Sequence, residues 1–330
     1  MVHESRLDEI SGIRIGQAED REGGTGCTVL IAENGMAAGL DIRGGGPASR
    51  ESGLLDPLAS AKAVHAVVLA GGSAFGLGAA DGVMRYLKEK GIGFDVGPDL
   101  KVPLVCQSDL FDLTVAAPDV YPDAAMGYQA CINSECGING NYRDGNYGAG
   151  CGATVGKFAG MDFCMKSGIG SFAVQAGDLK VAAIVAVNAL GDIYDWKTGE
   201  KIAGLLAEDK KAFRRTEDLM YANTEVIENK FTGNTTLGII ITNAGFDKSS
   251  LCKIAGMAHD GYARSIRPVH TTADGDSIYA VSAGSISADQ DLVGTLAAEV
   301  MSEAVIRAVK NAERAYGYPA AQDLAASSES

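Results

Sequence analysis

The sequence predicts a layered α+β fold in which groups of strands lie between long helices. Strand-like runs of apolar and β-branched residues cluster at residues 27–42 and 171–188, whereas amphipathic helical patterns cover residues 248–265 and 289–312. This grouping differs from the strict alternation of strand and helix that is typical of a parallel sheet. The chain has 330 residues, 46% hydrophobic and 21% charged, so it is globular and can bury a substantial core. Its 43 glycines lie beside apolar runs, which indicates tight turns and close backbone packing.

The first half of the chain begins with a predicted β-hairpin. Residues 27–32 and 36–42 have strand character, and Asn34-Gly35 between them is a strong signal for a two-residue hairpin turn. The elements predicted next are a loop at 43–47, a short helix at 58–65, a buried strand at 66–70, a glycine loop at 71–77 and a helix at 78–90 that Gly91 ends.

The second half contains the more regular patterns, and no internal repeat is visible. Residues 112–129 are expected to be irregular or helical, and residues 139–152 form a loop rich in glycine and asparagine. Residues 205–228 are polar, with a helical first part followed by a linker. The remaining predictions are strands at 171–174, 181–188, 236–243 and 277–283 and helices at 248–265 and 289–312, before a small, polar and frayed tail at 320–330.

Composition excludes several classes of function. A net charge of −14 argues against binding to nucleic acid or to anionic membranes. The N-terminal residues 1–9 contain no apolar segment typical of a secretory signal, and glycines interrupt the longest uncharged stretches well before they could span a bilayer. The seven cysteines have no C-x-x-C spacing, so we expect reduced thiols in a cytoplasmic protein, no metal site and no cofactor.

The junction at Asn234 and Thr235 is the first candidate for chemistry. A polar, turn-rich segment ends at Asn234, and a β-branched apolar strand starts at once with Thr235 and Thr236. An ordinary loop-to-strand junction has this pattern. A threonine hydrolase that cuts its own chain also needs it, because the bond before the nucleophile must be accessible and the new amino terminus must then sit on a rigid strand.

A glycine loop between strand and helix is the second candidate. The segment Gly71-Gly72-Ser73-Ala74-Phe75-Gly76 could bind an anion or a substrate through free amides, with Gly72, Ser73 and Phe75 as the binding residues. It lacks the Lys-Ser/Thr ending of a P-loop and the glycine spacing of a dinucleotide site, and Phe75 breaks the G-x-S-x-G pattern. Close backbone packing is the competing interpretation.

Four further residues have both a structural and a catalytic interpretation. Asp274 and Asp276 flank Gly275 before a strand, as a solvated turn or as a carboxylate pair that orients a nucleophile or a cation. Lys157 follows an uncharged stretch and either extends to the surface or is desolvated beside a reacting group. Asn188 ends a strand, where its side chain caps a turn or donates to a developing oxyanion.

Taken together, these motifs resemble the DmpA-like L-aminopeptidase/D-esterase family, which includes the 6-aminohexanoate-oligomer endohydrolases, or nylon hydrolases. The resemblance runs in order over nearly the whole chain. Its motifs are Arg43-Gly44-Gly45, Gly71 to Leu77 with Ala80 to Met84, Gly148-Ala149-Gly150, Gly152 to Lys157, Val187-Asn188-Ala189, Asn234 to Gly238, Pro268 to Thr271 and Asp274-Gly275-Asp276.

The resemblance implies a four-layer αββα sandwich of the N-terminal-nucleophile type and autocatalytic cleavage. By motif, Thr235 matches the nucleophile, Lys157 and Asn188 the supporting groups, and Asp274 and Asp276 the acidic pair. Threonine is the nucleophile of the nylon-oligomer branch, whereas the aminopeptidases typically have serine. Cys151 departs from the small hydroxyl residue that relatives often have, which leaves the catalytic residues unaffected.

The function expected from this set is a self-processing amide hydrolase. Thr235 would attack the carbonyl of Asn234, and the freed α-amine, with a pKa near about 7.7–8.0, would then act as the base for an external substrate. The substrates are short peptides or linear 6-aminohexanoate oligomers. The alternatives are an aminopeptidase or β-aminopeptidase with D-esterase activity, an acyltransferase of related chemistry, and a protein that binds a small ligand with its glycine loops.

Cleavage would divide one hydrolase domain, residues 1–330, into fragments 1–234 and 235–330 that stay together. The resemblance also implies a homo-oligomer, most often a tetramer. A stripe of apolar residues at helical spacing is either a subunit contact or part of the chain's own core: Leu292, Leu296, Val300 and Val305.

Overall fold

Two β-sheets are stacked face to face between two layers of helices in the computed structural model, which describes residues 1–98, 100–224 and 233–328. The strands are β1 (Val2–Ser5), β2 (Arg14–Asp20), β3 (Thr25–Ile42), β4 (Ala48–Arg50), β5 (Val64–Ala70), β6 (Phe94–Gly97), β7 (Leu100–Val102), β8 (Val105–Asp109), β9 (Thr154–Val155), β10 (Met165–Lys166), β11 (Ile169–Ala176), β12 (Leu179–Asn188), β13 (Asp192–Tyr194), β14 (Lys201–Ala203), β15 (Thr235–Ala244), β16 (Ile266–Arg267) and β17 (Ser277–Ile286).

The α-helices are α1 (Ala79–Glu89), α2 (Ala124–Asn133), α3 (Ile138–Asn141), α4 (Thr216–Ala222), α5 (Lys248–Ser265), α6 (Gln290–Lys310) and α7 (Ala321–Ser328). Short 3-10 helices cover Leu7–Glu9, Ser52–Leu55, Ser73–Gly78, Ser134–Cys136, Gly148–Gly150 and Met161–Phe163. In the described parts of the chain, no helix has the length and apolar character that crossing a membrane requires.

The first sheet has the order β1-β11-β12-β15-β17-β3, and the second has β2-β3-β5-β8-β4. Neighbouring strands are antiparallel except for the parallel pairs β15–β17 and β5–β8. The long strand β3 belongs to both sheets. Its first half pairs with β2 and β5, and its second half, from Ala37 to Ile42, pairs with β17.

The hairpin predicted at Asn34-Gly35 is therefore wrong, because β3 continues through it. Gly35 has a φ of +76°, and the register with β5 shifts between Ile31 and Met36. The left-handed glycine bends the strand without reversing it, as in a β-bulge. The same local signal that favours a turn here carries one strand from the second sheet to the first.

Three apolar clusters separate the four layers, which confirms the αββα sandwich. Because strand side chains alternate between faces, Leu30 points toward the other sheet while Val29 and Ile31 point toward helices α1 and α2. Between the sheets lie Val67, Leu69, Ile184, Ile239 and Tyr279. On the outer face of the first sheet, Val185 and Ile240 pack against α5 and α6 through Ile254, Ala258, Val300 and Val305.

This packing shows whether the apolar stripe on α6 belongs to the core or to a subunit contact. Leu296, Val300 and Val305 are buried in the core of their own chain, and only Leu292 is exposed. The interpretation of the stripe as a subunit contact is therefore wrong. These side chains cover the outer face of the first sheet, which needs a helical layer to exclude water.

Most predicted strands and helices of the second half are confirmed, and α5 has the predicted bounds. The helix predicted at residues 58–65 is wrong: the Asp56 side chain accepts the N–H of Leu58 over 2.8 Å in a turn that contains Pro57, and β5 begins at Val64. The helix within residues 205–228 lies at Thr216–Ala222 rather than in the first part, and residues 225–228 lie outside the described residues.

Candidate active site

Sheet topology brings together the five predicted catalytic residues. Strand β12 runs antiparallel to β15, so Asn188 at its end lies opposite Thr235 at the start of β15. Strand β17 runs parallel to β15, so the turn before it reaches the same edge, where Asp274 forms a bridge with Asn234. Lys157 comes from the loop after β9 and contacts Asn188. One sheet edge thus collects residues that are far apart in sequence.

The bond between Asn234 and Thr235 lies at the centre of this group. The carbonyl oxygen of Asn234 accepts the backbone N–H of Gly275 over 3.0 Å, and it also accepts the hydroxyl of Thr235. Gly275 approaches so closely that a Cβ atom at this position would lie 2.8 Å from Oγ1 of Thr235. Thr235 is buried, and its hydroxyl lies beside the carbonyl of the residue before it.

Lys157 is buried, and its side-chain nitrogen makes three hydrogen bonds. Its Nζ donates to the carbonyl oxygen of Asn188 at 3.0 Å, to Oδ1 of Asn188 at 2.9 Å and to the carbonyl oxygen of Gly233 at 3.0 Å. Burial lowers the pKa of Lys157 to about 7, against the opposing effect of nearby acidic groups that include Asp274 and Asp276. The interpretation as a surface lysine is therefore wrong.

The amide of Asn188 is held from both ends. Its Oδ1 also accepts the N–H of Thr154 over 3.0 Å, and its Nδ2 donates to the carbonyl oxygens of Phe111 at 2.9 Å and Gly233 at 3.2 Å. Both oxygens that accept from Nδ2 belong to residues that precede the junction at Asn234 and Thr235.

The two aspartates are buried, only 2% exposed for Asp274 and 1% for Asp276, so the interpretation as a solvated turn is wrong. Oδ1 of Asp276 accepts the N–H of Thr236 over 2.7 Å, and its Oδ2 accepts two donors from His270. Oδ2 of Asp274 accepts the N–H and the hydroxyl of Thr271. Burial, and then the neighbouring Asp276, raise the pKa of Asp274 to about 6.

The loop that begins with Arg43-Gly44-Gly45 is hydrogen bonded to the backbone of the turn at Asp274 to Asp276. The N–H groups of Arg43 and Gly44 donate to the carbonyl oxygen of Asp276 at 3.0 and 3.3 Å, and that of Gly46 donates to Asp274 at 2.8 Å. A Cβ atom on Gly44 would lie 2.3 Å from the nitrogen of Asp276. Glycine is needed because two backbones are in contact here.

The glycine loop after β5 is not an open anion site. The N–H of Gly72 donates to the buried carboxylate of Asp112 at 2.7 Å, and that of Ser73 donates to the carbonyl oxygen of Leu110 at 2.9 Å. Asp112 thus takes the place that a bound anion would have, and close packing accounts for the loop. Phe75 is exposed and stacks on Tyr121 with ring centroids 5.1 Å apart, so its side chain is available for an apolar contact.

The described contacts join this loop to the catalytic group only indirectly. Leu110 and Asp112 hold the loop, and Phe111 between them accepts a hydrogen bond from Asn188. No group of three or more His, Cys, Asp and Glu residues suited to a metal ion occurs in the described ranges.

Two groups that contact the candidate residues, the N–H of Gly275 and the side chain of His270, were not predicted from the sequence. The N–H of Gly275 has no signal, because every residue except proline carries one. His270 lies in a quoted motif, Pro268 to Thr271, but its contact with Asp276 depends on the backbone conformation between them.

The chain is similar to known hydrolases in sequence. The sequence model described as Peptidase family S58 matches residues 6–322. An uncharacterized aminopeptidase of Mycobacterium tuberculosis (strain ATCC 25618 / H37Rv) is 34% identical over 345 residues, covering 98% of this chain and 94% of the relative. A 6-aminohexanoate-oligomer endohydrolase of Paenarthrobacter ureafaciens is 32% identical, covering 92% of this chain and 85% of the relative.

Among solved structures, the L-aminopeptidase D-Ala-esterase/amidase from Ochrobactrum anthropi, described as a variant of the Ntn hydrolase fold, matches with a TM-score of 0.69 at 15% identity. The match covers 93% of this chain and 86% of that one. At this level of identity the likeness shows the fold, which agrees with the four layers described above.

Proposed function

The chain belongs to peptidase family S58 and is a hydrolase of amide bonds, and we propose that it becomes active by cutting its own Asn234–Thr235 bond. The two fragments, residues 1–234 and 235–330, would remain together as one enzyme. Thr235, as the new amino terminus, would act as the nucleophile on external amides.

The observation that carries this proposal is the N–H of Gly275 on the carbonyl oxygen of Asn234, with the hydroxyl of Thr235 in contact with the same carbonyl group. When Oγ of Thr235 attacks the carbonyl carbon, negative charge develops on the carbonyl oxygen, and the N–H of Gly275 stabilises it. The C–N bond then breaks, the nitrogen of Thr235 takes up the proton that its hydroxyl has lost, and an ester with a free α-amine remains. Water hydrolyses the ester, which gives a carboxylate on Asn234 and restores the hydroxyl of Thr235.

The freed amine can accept the hydroxyl proton in the second reaction, because an α-amine titrates near working pH. A positive charge on Lys157 would favour the neutral form of this amine. Because burial lowers the pKa of Lys157 to about 7, this effect is strongest below pH 7. Nδ2 of Asn188 would stabilise the oxyanion of the external substrate, a contribution of about 3–4 kcal/mol in comparable sites. Acyl-threonine formation and its hydrolysis complete the cycle.

We propose that the substrates are linear amides, either 6-aminohexanoate oligomers or short peptides. The names of the two relatives, an endohydrolase and an aminopeptidase, support this pair of candidates. An acyltransferase is the second candidate, since an amine can replace water in the last step.

We also propose that the enzyme is a homo-oligomer, most simply a tetramer. The strands β6 and β7 form a hairpin in which Phe94 is paired with Val102 and Gly97 with Leu100, with a register shift between Asp95 and Gly97. Its exposed apolar side chains are Phe94, Val96, Leu100 and Val102, all between 38 and 56% exposed, and we call this set the hairpin face. Four exposed apolar side chains on one hairpin support contact with a second copy.

Intact mass and a substrate panel test the proposal together. The purified protein should give two chains with masses of residues 1–234 and 235–330, and should hydrolyse at least one of three classes: 6-aminohexanoate oligomers, β-peptides and N-terminal amino acid amides. Added amine separates hydrolysis from acyl transfer. A fully active enzyme that stays one 34.0 kDa chain would refute self-processing.

A further inference from the structure

His270 binds the oxygen of Asp276 that does not contact the strand at the junction. Its backbone N–H and its ring Nδ1 lie 3.1 and 2.8 Å from Oδ2, whereas Oδ1 accepts the N–H of Thr236 at 2.7 Å. One buried carboxylate therefore connects His270 to the residue after Thr235. A buried charge depends on such donors, because no water replaces them.

The contacts determine which nitrogen of each imidazole carries the proton. A carboxylate accepts at Nδ1 of His270, so this nitrogen holds the hydrogen and Nε2 is a bare acceptor. The ring of His259 lies against that of His270 with centroids 4.7 Å apart, and its Nε2 lies 3.1 Å from the carbonyl oxygen and 3.3 Å from Oδ1 of Asp41, both acceptors. Burial lowers the pKa of His259 to about 4, so it is neutral.

The backbone of His270 is adapted to this double contact. Its φ is +58°, a left-handed value that is uncommon for residues other than glycine and asparagine. In this conformation the N–H and the ring reach the same oxygen of Asp276. Strained conformations of this kind cluster at functional sites and persist only when the surrounding contacts hold them.

We propose that His270 is a positioning residue of the active site. It fixes the Asp276 carboxylate through two donors on Oδ2, and Asp276 in turn fixes the amide of Thr236 and the start of β15 at Thr235. The proposal rests on the proposed function, since it assigns His270 a role in the chemistry of Thr235. The other titratable groups facing Asp276 are Asp274 on the same turn, Lys157 from the loop after β9 and Tyr262 from α5, and His259 from α5 lies against the ring of His270.

Two variants separate the hydrogen bond from the backbone conformation. Asparagine tolerates a positive φ and offers a side-chain N–H, whereas glycine tolerates it and keeps only the backbone N–H. We expect His270→Asn to keep self-cleavage and kcat within about threefold, and His270→Gly to lower both by about tenfold or more with KM nearly unchanged. The recovery of kcat in His270→Asn, at a KM that does not change, distinguishes positioning by the side-chain donor from a general loss of structure.

Two results would overturn the positioning role. One is a His270→Gly enzyme with the self-cleavage rate and the kcat of the wild type. The other is an equal loss of kcat in His270→Gly and His270→Asn, which a purely structural role of the imidazole would give. Should His270→Gly not fold, nitrogen NMR of the wild-type histidines decides, because a His270 tautomer without hydrogen on Nδ1 contradicts the proposal.

A Thr235→Ala variant, assayed in parallel, distinguishes this idea from the proposed function. If Thr235→Ala is active, the proposed function fails and the role of His270 fails with it. If Thr235→Ala is inert while His270→Gly matches the wild type, the positioning role alone is wrong.

Discussion

The N–H of Gly275 lies 3.0 Å from the carbonyl oxygen of Asn234 and donates to it. In the same chain, Nδ2 of Asn188 donates to Phe111 and Gly233 instead. The two proposed reactions would therefore use different oxyanion donors. Gly275 would serve the cut in the chain itself, and Asn188 would serve external substrates after the segment at Gly233 has moved.

The identity of the nucleophile gives the first prediction. Thr235→Ala should remain a single 34.0 kDa chain without turnover, because no hydroxyl is left beside the carbonyl of Asn234. Thr236→Val is the matched control, since it removes the neighbouring hydroxyl and keeps the N–H that donates to Asp276. Intact mass and N-terminal sequencing of the small fragment report the outcome. Cleavage in Thr235→Ala, or its absence in Thr236→Val, would contradict the assignment.

Local patterns predict the elements whose signals are complete within one segment. Helix α5 has its predicted bounds because Asp247 caps it, accepting the N–H of Ser250 over 2.8 Å, and its apolar residues recur with helical period. Strand β3 has no such local signal for its length. The bend at Gly35 depends on the two sheets that β3 joins, which are formed by residues distant in sequence.

In the candidate site, side chains and backbone groups differ in how well the sequence predicts them. The motifs predict Lys157, Asn188, Thr235 and the two aspartates as one group, and the structure brings them together. The backbone amides that hold these side chains have no signal in the sequence. Asp112 is the clearest case, since the sequence suggests a free cradle at Gly72, and only the fold shows the carboxylate that already binds this amide.

The buried side chain of Lys157 and its three hydrogen bonds give the second prediction. Lys157→Met keeps much of the aliphatic stem but removes three hydrogen bonds, two to Asn188 and one to Gly233. We expect the protein to fold, with self-cleavage and turnover reduced about a hundredfold, the range of a lost acid–base or electrostatic contribution. Gel assays of cleavage and kcat measurements check this, and near-normal rates would reduce Lys157 to a structural role.

Stability should also depend on pH through this residue. Burial lowers the pKa of Lys157 from 10.5 to about 7, so between these values the unfolded chain binds more protons than the folded chain. The contribution of Lys157 to the free energy of unfolding therefore becomes more favourable as pH rises through this window. Urea unfolding of Thr235→Ala with and without Lys157→Met, at pH 7 and pH 9, measures the difference. If the difference in free energy of unfolding between Thr235→Ala and the double variant, taken in favour of Lys157, became smaller at pH 9, the assigned direction would be contradicted.

The hairpin face gives the next prediction. Val96→Asp places a charge among Phe94, Leu100 and Val102, and burying this charge in a subunit contact would be costly. We expect a smaller particle by light scattering at micromolar concentration. Leu58→Asp is the control, because Leu58 is 95% exposed and lies outside the hairpin. An unchanged particle size in Val96→Asp would mean that the copies associate through another surface.

The close approach of Gly275 to Thr235 gives the last prediction. In Gly275→Ala the new Cβ atom would lie 2.8 Å from Oγ1 of Thr235 and 3.0 Å from the carbonyl oxygen of Gly46, so the hydroxyl must shift. The N–H of residue 275 is retained, and the variant therefore tests the placement of the nucleophile rather than the oxyanion donor. Because small misplacements of reacting groups reduce rates strongly, we expect self-cleavage to slow by about tenfold or more.

Gly53→Ala is the matched control for that variant, since an added Cβ at Gly53 meets no atom within 4 Å. Self-cleavage is followed by denaturing gel after purification of the uncut chain, and a thermal melt shows that both variants are folded. Folded Gly275→Ala that is cut as fast as Gly53→Ala would show that the hydroxyl does not need its position beside Gly275. Slow cutting with a normal melt would place the nucleophile where the structure has it, against the carbonyl of Asn234.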